Sequence, residues 1–316
     1  MQKNFFVAVL AAIMFATSTC AAAGKVIDVE LVTPEYAILQ DVTFAQYFTW
    51  PQSRLKMDIY VPRVKEKLPA VVVLPGGWWI TSPKASTLQL TSRLAESGFV
   101  VAGIEYRLIA QATYTEIIGD VKAAIRYLRA HADELNIDAN KIAIIGASAG
   151  GYLSTMVGVT GGVKNFDFGD NLDQSSEVQA VVDIFGPSDL TQIAADYSPD
   201  VQKKYNSAGG AAALLANGMA GYRYNAGGTL KDTPETAKAT NPITYIGKNT
   251  PPFLIMHGSK DTTISPSQSK ILYDALIDNG VDAEYYVLNG VGHEFKYFFQ
   301  PTTFKIIVDF LNRVLR

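Results

Sequence analysis

The sequence predicts an α/β fold, a mostly parallel sheet with helices on both faces. Two observations carry this. Short apolar runs recur at residues 70–74, 99–104, 141–145, 180–185, 252–256 and 284–288, each followed by Gly, Pro or polar turn residues. Segments with helical apolar spacing lie between them, and repeated strand–helix alternation closes as a parallel sheet. Near-continuous apolar runs suit strands covered on both faces.

The elements follow in order. Residues 36–46 and 55–60 read as strands with no helix between them, an antiparallel entry to the sheet. Over residues 120–135 the apolar positions Val121, Ala124, Ile125, Leu128, Ala132 and Leu135 keep helical spacing, with Asp120 expected as the N-cap. Residues 267–279 place Ile271, Leu272, Ala275 and Leu276 on one helix face, and Gly280 is placed to end it. Residues 304–314 form a last amphipathic helix.

Residues 161–176 and 196–250 break the rhythm. The second stretch holds the small-residue segments 207–213 and 221–228. It reads either as a flexible surface insertion or as a cap over a substrate pocket, with Tyr222 and Tyr224 as contacts. No internal repeat or second domain is visible, so residues 24–316 are expected to form a single domain.

The N-terminus reads as a secretory signal over residues 1–23. Lys3 supplies the positive region, residues 5–16 the apolar stretch, and Ala21-Ala22-Ala23 the small residues for cleavage near Ala23/Gly24. The apolar stretch is short for a membrane span, which needs roughly 20 residues. A buried first helix or an uncleaved anchor is the alternative. The expected location is therefore secreted or periplasmic.

The only cysteine is Cys20. Lipidation there is an alternative, but Thr17-Ser18-Thr19 matches a lipoprotein signal poorly. Cleavage after Ala23 leaves a chain without cysteine, hence without a disulfide, a thiol nucleophile or a thiolate metal site. Losing Lys3 from the 27 basic residues leaves 26 against 30 acidic ones, a formal −4. No basic run or stripe exists, so nucleic-acid binding has no electrostatic support.

The most informative stretch is Gly146-Ala147-Ser148-Ala149-Gly150. It follows the apolar run 141–145 and opens a helix-compatible segment, the strand–turn–helix context that gives G-x-S-x-G its meaning. The turn lifts the Ser148 hydroxyl above the sheet edge. A serine is a weak nucleophile and needs a base, and the base needs an orienting group.

The chain has three histidines. His131 lies on the amphipathic helix and reads as solvated. His257 ends the run 252–256 and reads as packing beside the site. His293 sits in the Gly-rich loop Gly290-Val291-Gly292-His293 after a strand's carboxyl end, where α/β sheets place their chemistry. His293 is the expected base. Asp261, after the penultimate strand, is the expected acid, giving the chain order Ser, Asp, His of an α/β-hydrolase. Asp189, one strand earlier, is the competing acid, or a cap for the segment that follows it.

The oxyanion donors are expected in the amides of Ala149, Gly77 and Trp78. Pro75-Gly76-Gly77-Trp78-Trp79 follows the run 70–74, the place of a lipase-type Gly-rich oxyanion loop. Trp79 is a further candidate for substrate contact. Three scattered histidines and no mature cysteine make a poor zinc site, so no metal and no cofactor is expected.

Together with residues 55–62, 120–127, 185–190 and 251–261, these motifs span roughly residues 35–316. The chain resembles the esterase/lipase group of the α/β-hydrolases that includes bacterial feruloyl and acetylxylan-type esterases, and it is similar to hormone-sensitive-lipase-like esterases. The resemblance implies Ser148 as nucleophile, Asp261 as acid and His293 as base. It also implies a small-molecule or polysaccharide-linked ester as substrate. One departure stands out: Pro75 occupies the place of the usual His before Gly-Gly. Two rivals remain open. One is a serine peptidase related to prolyl oligopeptidases, against which the lack of room for a large extra domain counts. The other is a non-catalytic binding module on the same fold.

Overall fold

The computed structural model describes residues 28, 35–48, 52–220, 225 and 227–316. The expected signal segment, Cys20, Tyr222 and Tyr224 lie outside the described residues. Residues 33–316 cluster as one compact unit.

That unit is built on one sheet of eight strands. In chain order they are β1 (Tyr36–Tyr47), β2 (Ser53–Pro62), β3 (Leu68–Leu74), β4 (Val100–Ile104), β5 (Ile137–Ala147), β6 (Ala180–Ile184), β7 (Phe253–Gly258) and β8 (Ala283–Leu288). The spatial order is β1-β2-β4-β3-β5-β6-β7-β8. The first two strands enter antiparallel, and every pairing from β4 to β8 is parallel, as the sequence pattern predicts.

Helices α1 (Leu88–Glu96) and α8 (Pro301–Leu315) cover one face. The other face is covered by α2 (Tyr114–Ala130), α3 (Ala149–Val159) and α7 (Ser267–Asp278). Strand residues alternate between the two cores: Val71 and Val73 pack under α1 and α8, Val72 and Leu74 under α2 and α3. The fully apolar β3 is the direct result of burial on both sides.

The topology places the site. From β3 the chain crosses outward to β4, then returns past β3 to β5, so connections leave in opposite directions at the β3/β5 boundary. A crevice opens at the carboxyl ends of strands on either side of such a switch. The loop after β3 and the turn after β5 flank it, with Leu74 and Gly146 in register.

Two expectations are corrected. Asp120 does not cap a helix. Helix α2 starts six residues earlier, where Thr113 accepts from the Glu116 amide and the Glu116 carboxylate accepts from the Thr113 amide. This reciprocal capping box satisfies two orphan donors and outcompetes a later start. Asp120 lies instead inside α2, fully buried, in charge-assisted bonds at 2.8–3.1 Å from the guanidinium and amide of Arg107. Helix α8 likewise starts at Pro301, which fits the first helical turn, and not at 304.

Between β6 and β7 lie three short helices, α4 (Pro199–Tyr205), α5 (Ala211–Asn217) and α6 (Pro234–Ala239). Among the described residues no helix is long and apolar enough to cross a membrane.

Candidate active site

Ser148 stands on the turn between β5 and α3 with φ 56° and ψ −121°, a left-handed-side conformation that costs energy for a non-glycine residue. Its amide donates to the Ile184 carbonyl of β6 at 2.9 Å, and its carbonyl accepts from Tyr152 as α3 begins. Glycine is required around it. A Cβ at Gly146 would stand 2.3 Å from the Gly150 carbonyl oxygen, and one at Gly150 2.6 Å from that of Leu74. The G-x-S-x-G spacing is thus the steric condition for the sharp turn.

The structure brings the three predicted residues together. His293 Nε2 is 3.0 Å from Ser148 Oγ, and His293 Nδ1 is 2.6 Å from Asp261 Oδ2. The Asp261 side chain is fully buried and His293 is 19% exposed, so substrate can reach the imidazole but not the acid. Asp261 Oδ1 accepts from the amides of Thr263 at 2.7 Å and Ile264 at 3.0 Å. Burial pushes the Asp261 carboxyl up. Hydrogen bonds from His257 and His293, then the His293 charge, more than reverse this and hold it well below the usual carboxylate range. It stays ionised at neutral pH, as the partner of an imidazolium must.

Asp189 is excluded as the acid by its own bonds. Its Oδ1 accepts from Thr191 and from Asn241 Nδ2, capping the short turn Leu190–Gln192. His131 ends α2, stacked on Tyr127 with ring centroids 4.0 Å apart.

The loop after β3 faces Ser148. Gly77, Trp78 and Trp79 take φ values of 133°, 55° and 58° in succession. Successive left-handed residues turn amides inward, as in an anion-binding nest. Among the described residues the amides of Gly77, Trp78 and Ala149 donate to no other protein group. A Cβ on Gly76 would lie 3.3 Å from Ser148 Cβ, which measures how closely this loop approaches the serine. Pro75 fits: its carbonyl accepts from the buried Tyr106 hydroxyl at 2.9 Å, an anchor that needs no side chain from residue 75.

Trp79 is corrected as a substrate contact. It is 1% exposed and packs edge-on against Tyr152 at 5.1 Å, inside the core. Trp78 is half-buried and stands edge-on to Tyr205 of α4 at 5.9 Å. These two rings, with Lys204, Ser207, Gly210 and Ala211, line a cleft of about 410 Å³. A larger cavity of about 740 Å³ opens at the opposite, amino-terminal edge of the sheet, and no serine or histidine lines it.

Residues to which the sequence assigned no site role complete the site. The Phe185 ring packs 4.3 Å from the His293 ring, Tyr106 anchors the glycine loop, and Tyr205 reaches in from α4. Only Phe185, at the end of the apolar run 180–185, carried a local signal of its position.

The chain matches the BD-FAE family over residues 57–276, more than half its length. The chain belongs to the BD-FAE family. Among similar proteins, esterase LipC of Mycobacterium tuberculosis is 31% identical over 78% of this chain. The match covers 59% of LipC, so this BD-FAE member spans little more than half of that relative's length. A truncated carbohydrate esterase from gut microbiota superposes with a TM-score of 0.77 at 30% identity, covering 89% of this chain and 97% of that one. A bifunctional GH43-CE protein of Bacteroides eggerthii superposes at 0.75 with 31% identity, covering 88% of this chain and 38% of that one. The fold of this BD-FAE member is accordingly the α/β-hydrolase fold.

Proposed function

We propose that this protein is an exported serine carboxylic-ester hydrolase that works through an acyl-enzyme. The observation that carries the reading is the continuous chain from Ser148 Oγ to His293 at 3.0 Å and on to Asp261 at 2.6 Å. Ser148 Oγ attacks the ester carbonyl as His293 Nε2 takes its proton. The developing oxyanion sits against the amides of Ala149, Gly77 and Trp78, a contribution of about 10²–10³ in kcat per donor in comparable enzymes. His293 then protonates the departing alcohol. Water, activated by the same imidazole, releases the acid and restores Ser148. Every proton is accounted for by His293, and no step calls on a metal or cofactor.

The natural substrates are acetylated or feruloylated polysaccharides or small esters. Two things support this: the carbohydrate esterases among the similar structures, and the Trp78–Tyr205 cleft wall that starts from the loop approaching the serine, a surface suited to planar or sugar rings. The N-terminal segment supports export to the periplasm or beyond. A panel of acetylated and feruloylated oligosaccharides, simple aryl esters and a peptide nitroanilide tests the reading. Ester turnover with negligible amide cleavage is expected, and amide cleavage at a matching rate would replace the esterase by a peptidase.

A further inference from the structure

His257 lies at the carboxyl end of β7, one residue before its last, and its sequence position suggests only packing. Its contacts are polar and directed. The ring is fully buried, with Nδ1 2.7 Å from Ser269 Oγ on α7. Nε2 is 3.2 Å from the Ile264 carbonyl oxygen and 3.3 Å from Asp261 Oδ2. A carbonyl only accepts, so Nε2 carries its hydrogen to Ile264, with the Asp261 carboxylate at ion-pair distance from the same N–H. In the neutral ring, Nδ1 then accepts the Ser269 hydroxyl proton, and that hydrogen bond fixes the tautomer.

Asp261 Oδ2 therefore stands between two imidazoles, His293 Nδ1 at 2.6 Å and His257 Nε2 at 3.3 Å. Oδ1 is held separately by two backbone amides. Among the described residues, the other groups around this pair are few. The Phe185 ring comes from the end of β6, 6.3 Å from His257. The Tyr197 and Tyr205 hydroxyls donate to the backbone carbonyls of Asp261 and Thr263, and not to the carboxylate. Among the described residues, His257 is thus the one side chain besides His293 whose ring N–H stands at ion-pair distance from the acid.

We propose that His257 is a positioning residue: its Nε2–H holds the Asp261 carboxylate toward His293 and limits how strongly that carboxylate raises the basicity of the His293 ring. This rests on the reading of Ser148, His293 and Asp261 as the catalytic set. Without the second donor, Oδ2 carries more charge toward His293, the imidazolium is stabilised, and the base is protonated at higher pH. The acid limb of kcat/KM reports that protonation directly.

The test compares pH profiles of aryl acetate hydrolysis for the full-length wild type, His257→Phe and His257→Gln. Phenylalanine keeps the ring volume and removes the donor, whereas glutamine keeps an N–H near the Nε2 position. His257→Phe should move the acid limb to higher pH by about half a unit or more, with KM nearly unchanged, and His257→Gln should recover most of the shift. A folded His257→Phe enzyme with the wild-type acid limb would overturn the proposal. Should that variant not fold, nitrogen NMR of the wild type decides, since ¹⁵N-histidine labels only three rings. A His257 ring protonated at Nε2 and bare at Nδ1 is expected, and the opposite tautomer overturns the proposal. Ser148→Ala run alongside separates the two levels. Activity surviving there would sink the catalytic set itself, whatever the tautomer of His257.

Discussion

In the proposed mechanism Ser148 draws its reactivity from three contacts that different parts of the chain supply. Its strained backbone aims Oγ at His293, the buried Asp261 orients that imidazole, and the glycine loop brings free amides within reach. Removal of the hydroxyl in Ser148→Ala, or of the base in His293→Ala, should lower ester turnover by several orders of magnitude, leaving about 10³–10⁴ over water from the remaining groups. Steady-state kinetics with an aryl acetate measures this, and near-normal turnover in His293→Ala would remove it as the base. Trp78 makes a different prediction. Its amide belongs to the proposed oxyanion loop but its ring belongs to the cleft, so Trp78→Ala should spare p-nitrophenyl acetate and raise KM for an acetylated oligosaccharide about tenfold. Equal losses on both substrates would show that the ring supports the loop and does not bind sugar. At this scale the sequence was informative wherever a residue sits in a turn motif: Ser148, His293, Asp261 and the Gly76-Gly77 pair were all legible. It misled at Trp79, because adjacent residues of a loop look alike in sequence while one faces the cleft and the other the core. His257 and Tyr106 escaped notice as partners because their polar contacts are with residues distant in sequence, Ser269 and Pro75.

The elbow is the element on which the rest depends. Gly150 has no room for a side chain, since its Cβ would stand 2.6 Å and 2.7 Å from the backbone oxygens of Leu74 and Pro75. Gly150→Ala must therefore displace the oxyanion loop, and it should lose both a few degrees of Tm and at least tenfold in kcat. Thermal unfolding and kinetics on the same sample check the coupling. Beneath the elbow lies Asp183 of β6, fully buried, its Oδ1 accepting from the Gly186 amide at 2.9 Å and the Thr155 hydroxyl close to its carboxyl. Burial pushes its carboxyl up to about 7. A carboxyl raised in the folded state makes the native protein bind more protons than the unfolded chain between the ordinary carboxylate range and that value. Stability from this group is therefore lost as pH rises through the window and stays lost above it. Asp183→Asn removes the dependence and keeps a polar group facing the buried Thr155 hydroxyl. The variant should match wild type near pH 4 and exceed it by a few degrees of Tm at pH 8. A constant difference across that range would contradict the burial of a titrating carboxyl. The start of α2 shows why element boundaries are harder to read than element identity. Its periodicity is visible from Val121 onward. The actual start is set by Thr113 and Glu116, two polar residues whose reciprocal bond has no apolar signature.

Across the molecule, the arrangement follows from a sheet covered on both faces and a reversal of direction between β3 and β5. The reversal separates two loops at one sheet edge, and the chemistry gathers there because β5, β7 and β8 all end on the same side. The parallel strands from β3 to β7, buried on both faces, wrote themselves into the sequence as apolar runs, which is why the fold class was legible. The region between β6 and β7 was not, because its helices α4 and α6 bury few apolar residues and leave little periodicity to read. The central claim is that an acyl group passes through Ser148. It is tested most directly by mixing the full-length protein with p-nitrophenyl butyrate, quenching in acid within the burst and locating the added mass by peptide mass spectrometry. The account predicts a butyryl group on Ser148, absent from Ser148→Ala and accumulating in proportion to the nitrophenol burst. Turnover of the ester with no acyl group on Ser148, or with the acyl group on another residue, would contradict it.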